Sequence, residues 1–372
     1  MTSICRLAEA AWDDGTFALA LLRHRRPGMA RVMAFAAEVA QRPARPIRVT
    51  EGPVRLAFAG SDRQLFATLA RTFGATGTTA AGRLPWGAAA RLPPADVEVV
   101  EIGWWEAASA RAAGALVLPR WVGLSVDLDE ERLDARRRSL WAKAQGRGLT
   151  AEVVAATTSI DEFVRRYYEP TARSRHGEEA LVLRLRHLRH AARRGELLFV
   201  RQGRTRLAGI LLVWRNDVVD AWVTGVLDGD YAFADAPARV ALYVLAMRHA
   251  KQKGARRLGL TSAAPFLGDG LLRFKRAFGA RAHSLSSYPT VLRVGVRRAT
   301  AAVVAALARS PAVHLAGERL VGIALKHGES SLMPTARLTL PGVDGPYVLT
   351  GPEEQLPALL AAWAASHPPD HP

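Results

Sequence analysis

Three short apolar runs set close together constrain this 372-residue chain more than any other feature. Leu197–Arg201, Leu207–Trp214 and Val218–Val223 are rich in β-formers, and the turn signals Gln202-Gly203 and Asn216-Asp217 separate them. Connections that short force neighbouring antiparallel strands. A Gly/Asp-rich turn follows, then a largely apolar helix from about Pro237 to Lys253 that Gly254 closes. A short strand comes next, and then a second helix carrying Phe274-Lys275-Arg276-Ala277-Phe278-Gly279. Upstream, Thr150–Ala156 alternates as a strand, and Ser159, with Glu162 at capping-box spacing, opens a helix that runs to about Arg175. His176-Gly177 stops it, Leu181–Arg194 is a second helix ended by Gly195, and His283–Val294 is a final strand. The pattern predicts a mixed α/β (α+β) fold: a mostly antiparallel central sheet flanked by helices, with a site at the N-terminal end of the Pro237 helix.

The flanks add two further regions, giving expected domains at 1–126, 127–296 and 297–372. The first holds helices at Trp12–Leu22 and Met29–Ala40 and a basic, Pro-broken connector, Arg42–Pro46. A strand at Val54–Ala59, a helix capped by Ser61 or Asp62 that ends at Phe73, and strands at Val97–Ile102 and Ala115–Leu118 make it α/β in its own right. Gly74–Pro94 reads as loop; its Gly74–Thr79 run follows a helix and lacks a P-loop lysine, so it is a connector and not a phosphate cradle. Asp127 is expected to open a charged helix, acids early and bases late, as the helix dipole favours. Beyond Arg297 the pattern predicts an Ala/Val-rich helix, a shorter one at Leu320–Lys326, a hairpin of Ala336–Leu340 with Tyr347–Thr350, and a last helix at Leu356–Ala364.

The formal charge of +17 calls for an anionic partner: phosphate groups, RNA, or peripheral contact with an acidic membrane. Lysine occurs only at Lys143, Lys251, Lys253, Lys275 and Lys326, which points to coding bias for arginine, yet bias does not explain why acids are so outnumbered. A single Cys5 excludes an intrachain disulfide framework and a cysteine zinc cluster. His187 and His190 could share a helix face, but no third metal ligand has sensible spacing, so no metal is expected. The start lacks a signal-peptide pattern and no apolar run approaches the roughly 20 residues of a bilayer span, so a cytoplasmic protein without a transmembrane segment is expected.

From Thr150 onward the order of elements resembles the GCN5-related N-acetyltransferase (GNAT) superfamily. Phe163 with Tyr167-Tyr168, Arg175-His176-Gly177, Ala208-Gly209, and above all Gly270-Leu271-Leu272-Arg273-Phe274-Lys275-Arg276-Ala277-Phe278-Gly279 look like its FemAB-like / CelD-like acyltransferase branch. That resemblance covers about Asp127 to Val294 and implies a GNAT-like sheet, with the N-terminal region as an eroded second copy in tandem. It implies transfer of an acyl group, with acyl-CoA or aminoacyl-tRNA as co-substrate and no covalently bound cofactor, to an amine or hydroxyl of a small molecule, saccharide or cell-wall precursor. The stretch Val226–Pro237 departs from the superfamily's phosphate loop: it has one glycine, no leading Arg or Gln, and acids where phosphate would sit. A charged-tRNA donor and a non-catalytic basic binding protein therefore stand beside the acyl-CoA reading.

Residues for the chemistry follow. Asp228 and Asp230 lie where an acceptor amine would approach and could orient or deprotonate it, and Tyr231 could donate to the leaving group, with turn-forming Asp and aromatic packing as the bland alternatives. Lys275, with Arg273, Arg276 and Arg239, is expected to bind a phosphate-bearing donor; Lys275 sits at the edge of the apolar face formed by Leu271, Phe274 and Phe278. Arg175, His176, Arg186 and Trp222 are assigned to substrate, the first two by the resemblance alone. No Ser/His/Asp or Cys/His signature appears, so direct transfer in a ternary complex is expected.

Overall fold

The computed structural model describes residues 34–40, 44–86, 92–129, 133–177, 180, 182–285, 288–326, 339–352 and 354–366. The chain divides into two compact units: Met1–Val122 with Ala263–Leu272 and Ala282–Pro372, and Gly123–Ser262 with Arg273–Arg281. The Trp12–Leu22 helix lies outside the described residues, and the Met29–Ala40 helix is seen over 34–40.

In the first unit, β1 (Ala44–Glu51) runs antiparallel to both β2 (Leu56–Ala59) and β3 (Gly77–Pro85). A helix, Arg63–Thr72, follows β2; Asp62 caps it by accepting from Leu65 N at 2.9 Å. It leads to β4 (Val97–Gly103), parallel to β2. A helix at Ala107–Ala112 precedes β5 (Leu116–Pro119). Two expectations fail here. The Arg42–Pro46 connector is in part strand, because Arg45 is buried and donates to the carbonyls of Glu101 and Pro85. Gly74–Pro94 is not all loop: β3 is an edge strand with nearly every residue exposed, so it carries no apolar alternation to read. Leu56, Phe58, Leu65, Leu69, Val97 and Leu116 form the centre of this unit's core.

In the second unit, β6 (Val122–Asp127) occupies the ground where the charged helix was expected to begin. Its first five residues are buried, and the helix starts later, at Ala135–Gly146, where Asp134 accepts from Arg137 N at 2.7 Å. Then come β7 (Thr150–Ala155), β8 (Gly195–Gln202), β9 (Thr205–Arg215), β10 (Val218–Val226) and β11 (Arg257–Ala263). Neighbours run in the order β6-β11-β10-β9-β8-β7. The three-strand block stands as its turns dictate, each strand antiparallel to the next. The helix after β7 begins at Ala156, so Ser159 lies inside it and does not cap it. It passes through a π-helical turn, Val164–Tyr168, into Glu169–His176. Leu185–Ala192 is shorter than expected, and Gly195 opens β8 instead of ending a helix. The Pro237 helix spans Ala236–Gln252.

Gly270–Arg276 is the Lys275 helix, and the expected last strand is two: β12 (Arg281–Ser284) and β13 (Thr290–Val296). β13 is inserted, antiparallel on both sides, between β4 and β5. After the Ala301–Arg309 helix come β14 (Ala312–Ala316), β15 (Arg319–Lys326) and β16 (Val343–Thr350). Leu320–Lys326 is thus strand, antiparallel to β14; a short apolar run does not by itself separate helix from strand. The Tyr347–Thr350 limb runs parallel to β15; of the expected hairpin's other limb, residues 336–338 lie outside the described set, and Leu340 bridges to Val343. Leu356–Ser366 is the last helix.

One series of pairings occurs twice. β1 is antiparallel to β2, which is parallel to β4 across a helix; β9 is antiparallel to β10, which is parallel to β11 across a helix.

Candidate functional site

β10 pairs with β11 only at Val218, Val219 and Asp220, although it continues to Val226. A bulge between Ala221 and Val223 marks where β10 turns away. The backbone groups on that side of β10 are therefore not spent on β11. At its far end the strand is held by the π-helical segment. Gly225 lies so close to it that an added Cβ would fall 2.3 Å from the Tyr167 carbonyl carbon. The Thr171 hydroxyl accepts from Val226 N at 2.8 Å and donates to the Val226 carbonyl at 3.3 Å.

The loop after β10 uses both candidate aspartates. Asp228, at φ 51°, forms an exposed ion pair with Arg166 at 3.1 Å. Asp230 accepts from the N–H groups of Ala232 and Phe233 at 2.8 and 3.0 Å, the turn role for which Asp is suited. Tyr231 lies between two guanidinium groups, Arg175 at 5.2 Å and Arg239 at 5.1 Å from its ring centre. Arg239 also donates to the carbonyls of Tyr231 and Ala234, which fixes the ring's backbone. Burial pushes the Tyr231 phenol up, outweighing the two arginines, so it keeps its proton. Tyr243 is hydrogen-bonded to Thr224 of β10, and burial raises its phenol too.

The helix N-terminus is already occupied. Asp235 accepts from Ala238 N at 3.2 Å with one oxygen and pairs with Arg147 at 2.6 Å through the other. The cap competes with any anion, as its sequence implied.

Lys275 is 2% exposed, not a snorkelling surface cation. Its ammonium donates to Thr261 Oγ1 at 3.0 Å and to the Ser262 carbonyl at 2.8 Å, at the end of β11. Thr261 sits at φ 60°, which a β-branched residue adopts only when its surroundings hold it there. Phe274 and Phe278 contact the Tyr243 ring at 5.2 Å, and Arg137 stacks over both. Arg273 is exposed; Arg276 is half-buried, and burial lowers its guanidinium, followed by the charge of Arg273.

Tyr231, Arg175 and Arg239 thus form one group. Arg273 and Arg276 stand with Arg137 in a second. Trp222 is a half-buried β10 residue packed on the second unit's core, and Arg186 is exposed on the Leu185–Ala192 helix. His176 ends the Glu169–His176 helix, and its side chain lies outside the described residues. Sequence reasoning missed Thr171 and Thr224. A mid-helix Thr and a strand Thr carry no local signal, since each acts through a residue distant in the chain.

β10 thus parts from its parallel neighbour β11 close to the start of the Ala236–Gln252 helix. Residues 130–276 match the family model described as acetyltransferase (GNAT) domain. That segment is a GNAT acetyltransferase domain, and the protein is an acyltransferase by class. The chain also shows similarity to solved structures. The C-terminal domain of a candidate lysylphosphatidylglycerol synthetase from Agrobacterium fabrum is 16% identical, covering 68% of this chain and 84% of its own, with a TM-score of 0.36. FemX is 12% identical, covering 70% and 90%, with a TM-score of 0.36. A GCN5-related N-acetyltransferase from Kribbella flavida is 17% identical, covering 72% and 95%, with a TM-score of 0.27. No curated protein sequence matches the chain.

Proposed function

We propose that the second unit transfers an acyl group directly from acyl-CoA to an amine or hydroxyl of a small molecule, saccharide or cell-wall precursor, as a FemAB-like GNAT enzyme. The early parting of β10 from β11 carries this reading. Free backbone N–H groups of β10 would face the acyl carbonyl and stabilise the oxyanion as the acceptor attacks. The acceptor's nitrogen or oxygen bonds to the acyl carbon, the bond to the leaving group breaks, and the acceptor's proton is released. The Tyr231 phenol, kept protonated by burial, would give its proton to the leaving thiolate and be restored, through solvent, by the proton the acceptor gives up. Asp230 is engaged in its turn, which leaves Asp228, an exposed carboxylate tied to Arg166, as the carboxylate to orient an ammonium acceptor. The Arg137–Arg273–Arg276 group would supply positive charge for the donor's phosphates, whereas Lys275, expected to join them, is buried on Thr261 and Ser262 and holds the end of β11 instead.

One observation favours a second donor. Asp235 and Arg147 satisfy each other at the helix start where a pyrophosphate would lie. An aminoacyl-tRNA does not need that cradle, because polyanions bind through many dispersed cations. Acetyl-CoA and aminoacyl-tRNA, each carrying a labelled acyl group, should be offered to the protein with a panel of amines, and the products weighed by mass spectrometry. Labelled product from either donor, reduced about ten- to a hundredfold in Tyr231→Phe, supports transfer and names the donor. Binding without product from either donor would leave the non-catalytic basic protein as the answer.

A further inference from the structure

The first unit contains a cavity of about 260 Å³, outside the 130–276 segment, with Trp104, Trp105, Trp121 and Tyr288 in its wall and Arg111 and Arg120 lining it. The two arginines differ in what surrounds them. Arg120 is neutralised by Glu101 at 2.8 Å, Glu38 at 3.3 Å and Asp62 at 3.4 Å. Arg111 is 7% exposed and forms no ion pair with a carboxylate among the described residues. Its Nη1 donates to the Leu315 carbonyl at 3.2 Å, and its Nε has no hydrogen-bond partner there. Glu318 also lines the cavity, but it is exposed to solvent.

A cation buried without a counter-charge is costly, and a guanidinium with open donors suits an incoming oxyanion. The aromatic wall suits a flat apolar body, and few neutral polar groups are present to bind a sugar's hydroxyls. The volume lies just below the usual range for drug-sized ligands, so the occupant is small. One uncompensated cation matches one negative charge better than the two of a phosphate.

We propose that this cavity binds a small aromatic carboxylate, the ring against the tryptophans and the carboxylate on Arg111. This stands apart from the acyl-transfer reading, since it uses only residues of the first unit.

The test uses the full chain, with tryptophan fluorescence read during titrations of benzoate, its neutral analogue benzamide, and inorganic phosphate. Benzoate should quench saturably, with benzamide at least tenfold weaker and phosphate unable to displace benzoate at equal concentration. Arg111→Gln should bring benzoate down to the level of benzamide and leave benzamide unchanged. Trp105→Ala, at a residue 47% exposed and so removable without unfolding the unit, should weaken both ring probes. Equal binding of benzoate and benzamide, displacement by phosphate, or indifference to both substitutions would each overturn the assignment. The benzoate–benzamide comparison in the unaltered protein decides even if Arg111→Gln does not fold.

Discussion

At the scale of single residues, Lys275 shows how far a pattern reaches. Periodicity placed it at the edge of an apolar face, and that much stands. What the pattern could not contain is β11, whose Thr261 and Ser262 oxygens draw the ammonium into the interior. Lys275→Met keeps the volume but leaves two acceptors without their donor, so unfolding free energy should fall by about 1–3 kcal/mol in urea titrations. Tyr231 was legible as a candidate, its flanking arginines less so, because Arg175 and Arg239 come from separate helices. Tyr231→Phe should lower kcat by about ten- to a hundredfold with little change in melting temperature. Burial raises the phenols of Tyr167, Tyr168, Tyr231 and Tyr243 above their unfolded value. A raised folded pKa means that this part of the stability is complete below about pH 10 and is lost as pH rises past it. Melting temperature should therefore hold up to about pH 10 and decline above it.

Among the elements, those with period, caps and tight turns were legible: β8, β9 and β10 and the Ala236–Gln252 helix lie within a few residues of their sequence limits. β3 and β15 were not. One is an exposed edge without apolar alternation, and the other is a continuous apolar run whose period is ambiguous. The parting of β10 and β11 was also invisible, since it depends on where pairing stops. Gly225 can be tested directly. Its Cβ position is filled by backbone of Tyr167 and Tyr168, which cannot rotate away. Gly225→Ala should destabilise by on the order of 1–3 kcal/mol or more and loosen the π-helical turn, read as faster amide exchange there. Asp235→Ala should have opposing effects. Losing the cap costs about 1 kcal/mol. The bared helix start, with Arg147 released beside it, should bind CoA more tightly in calorimetry.

The whole molecule carries a second buried charge system, away from the matched domain. Glu101 is 0% exposed and is held by Arg120, the Ser61 N–H and hydroxyl, and the Thr290 hydroxyl. Burial alone would raise its carboxyl, yet Arg120 and these donors keep it below the ordinary value. A lowered folded pKa gives stability that is present above about pH 4 and lost as pH falls further. Acid should therefore open the first unit's sheet, visible as loss of amide protection in β2 and β4. Glu101→Gln should cost about 3–5 kcal/mol, because Arg120 loses its most buried partner. The pieces of this cluster were in the sequence, at Ser61, Glu101, Arg120 and Thr290, but Thr290 reaches Glu101 across a separation of 189 residues, and nothing local pairs them. The strand order has a consequence for synthesis. β13 belongs between β4 and β5, yet a ribosome makes those two strands long before it reaches Thr290. At about 5–20 residues per second, the nascent first sheet waits with an open slot between β4 and β5 until the whole second unit has emerged. Cutting the gene after β5 would thus yield no self-sufficient half, and any cell making this protein must shield that slot while translation proceeds.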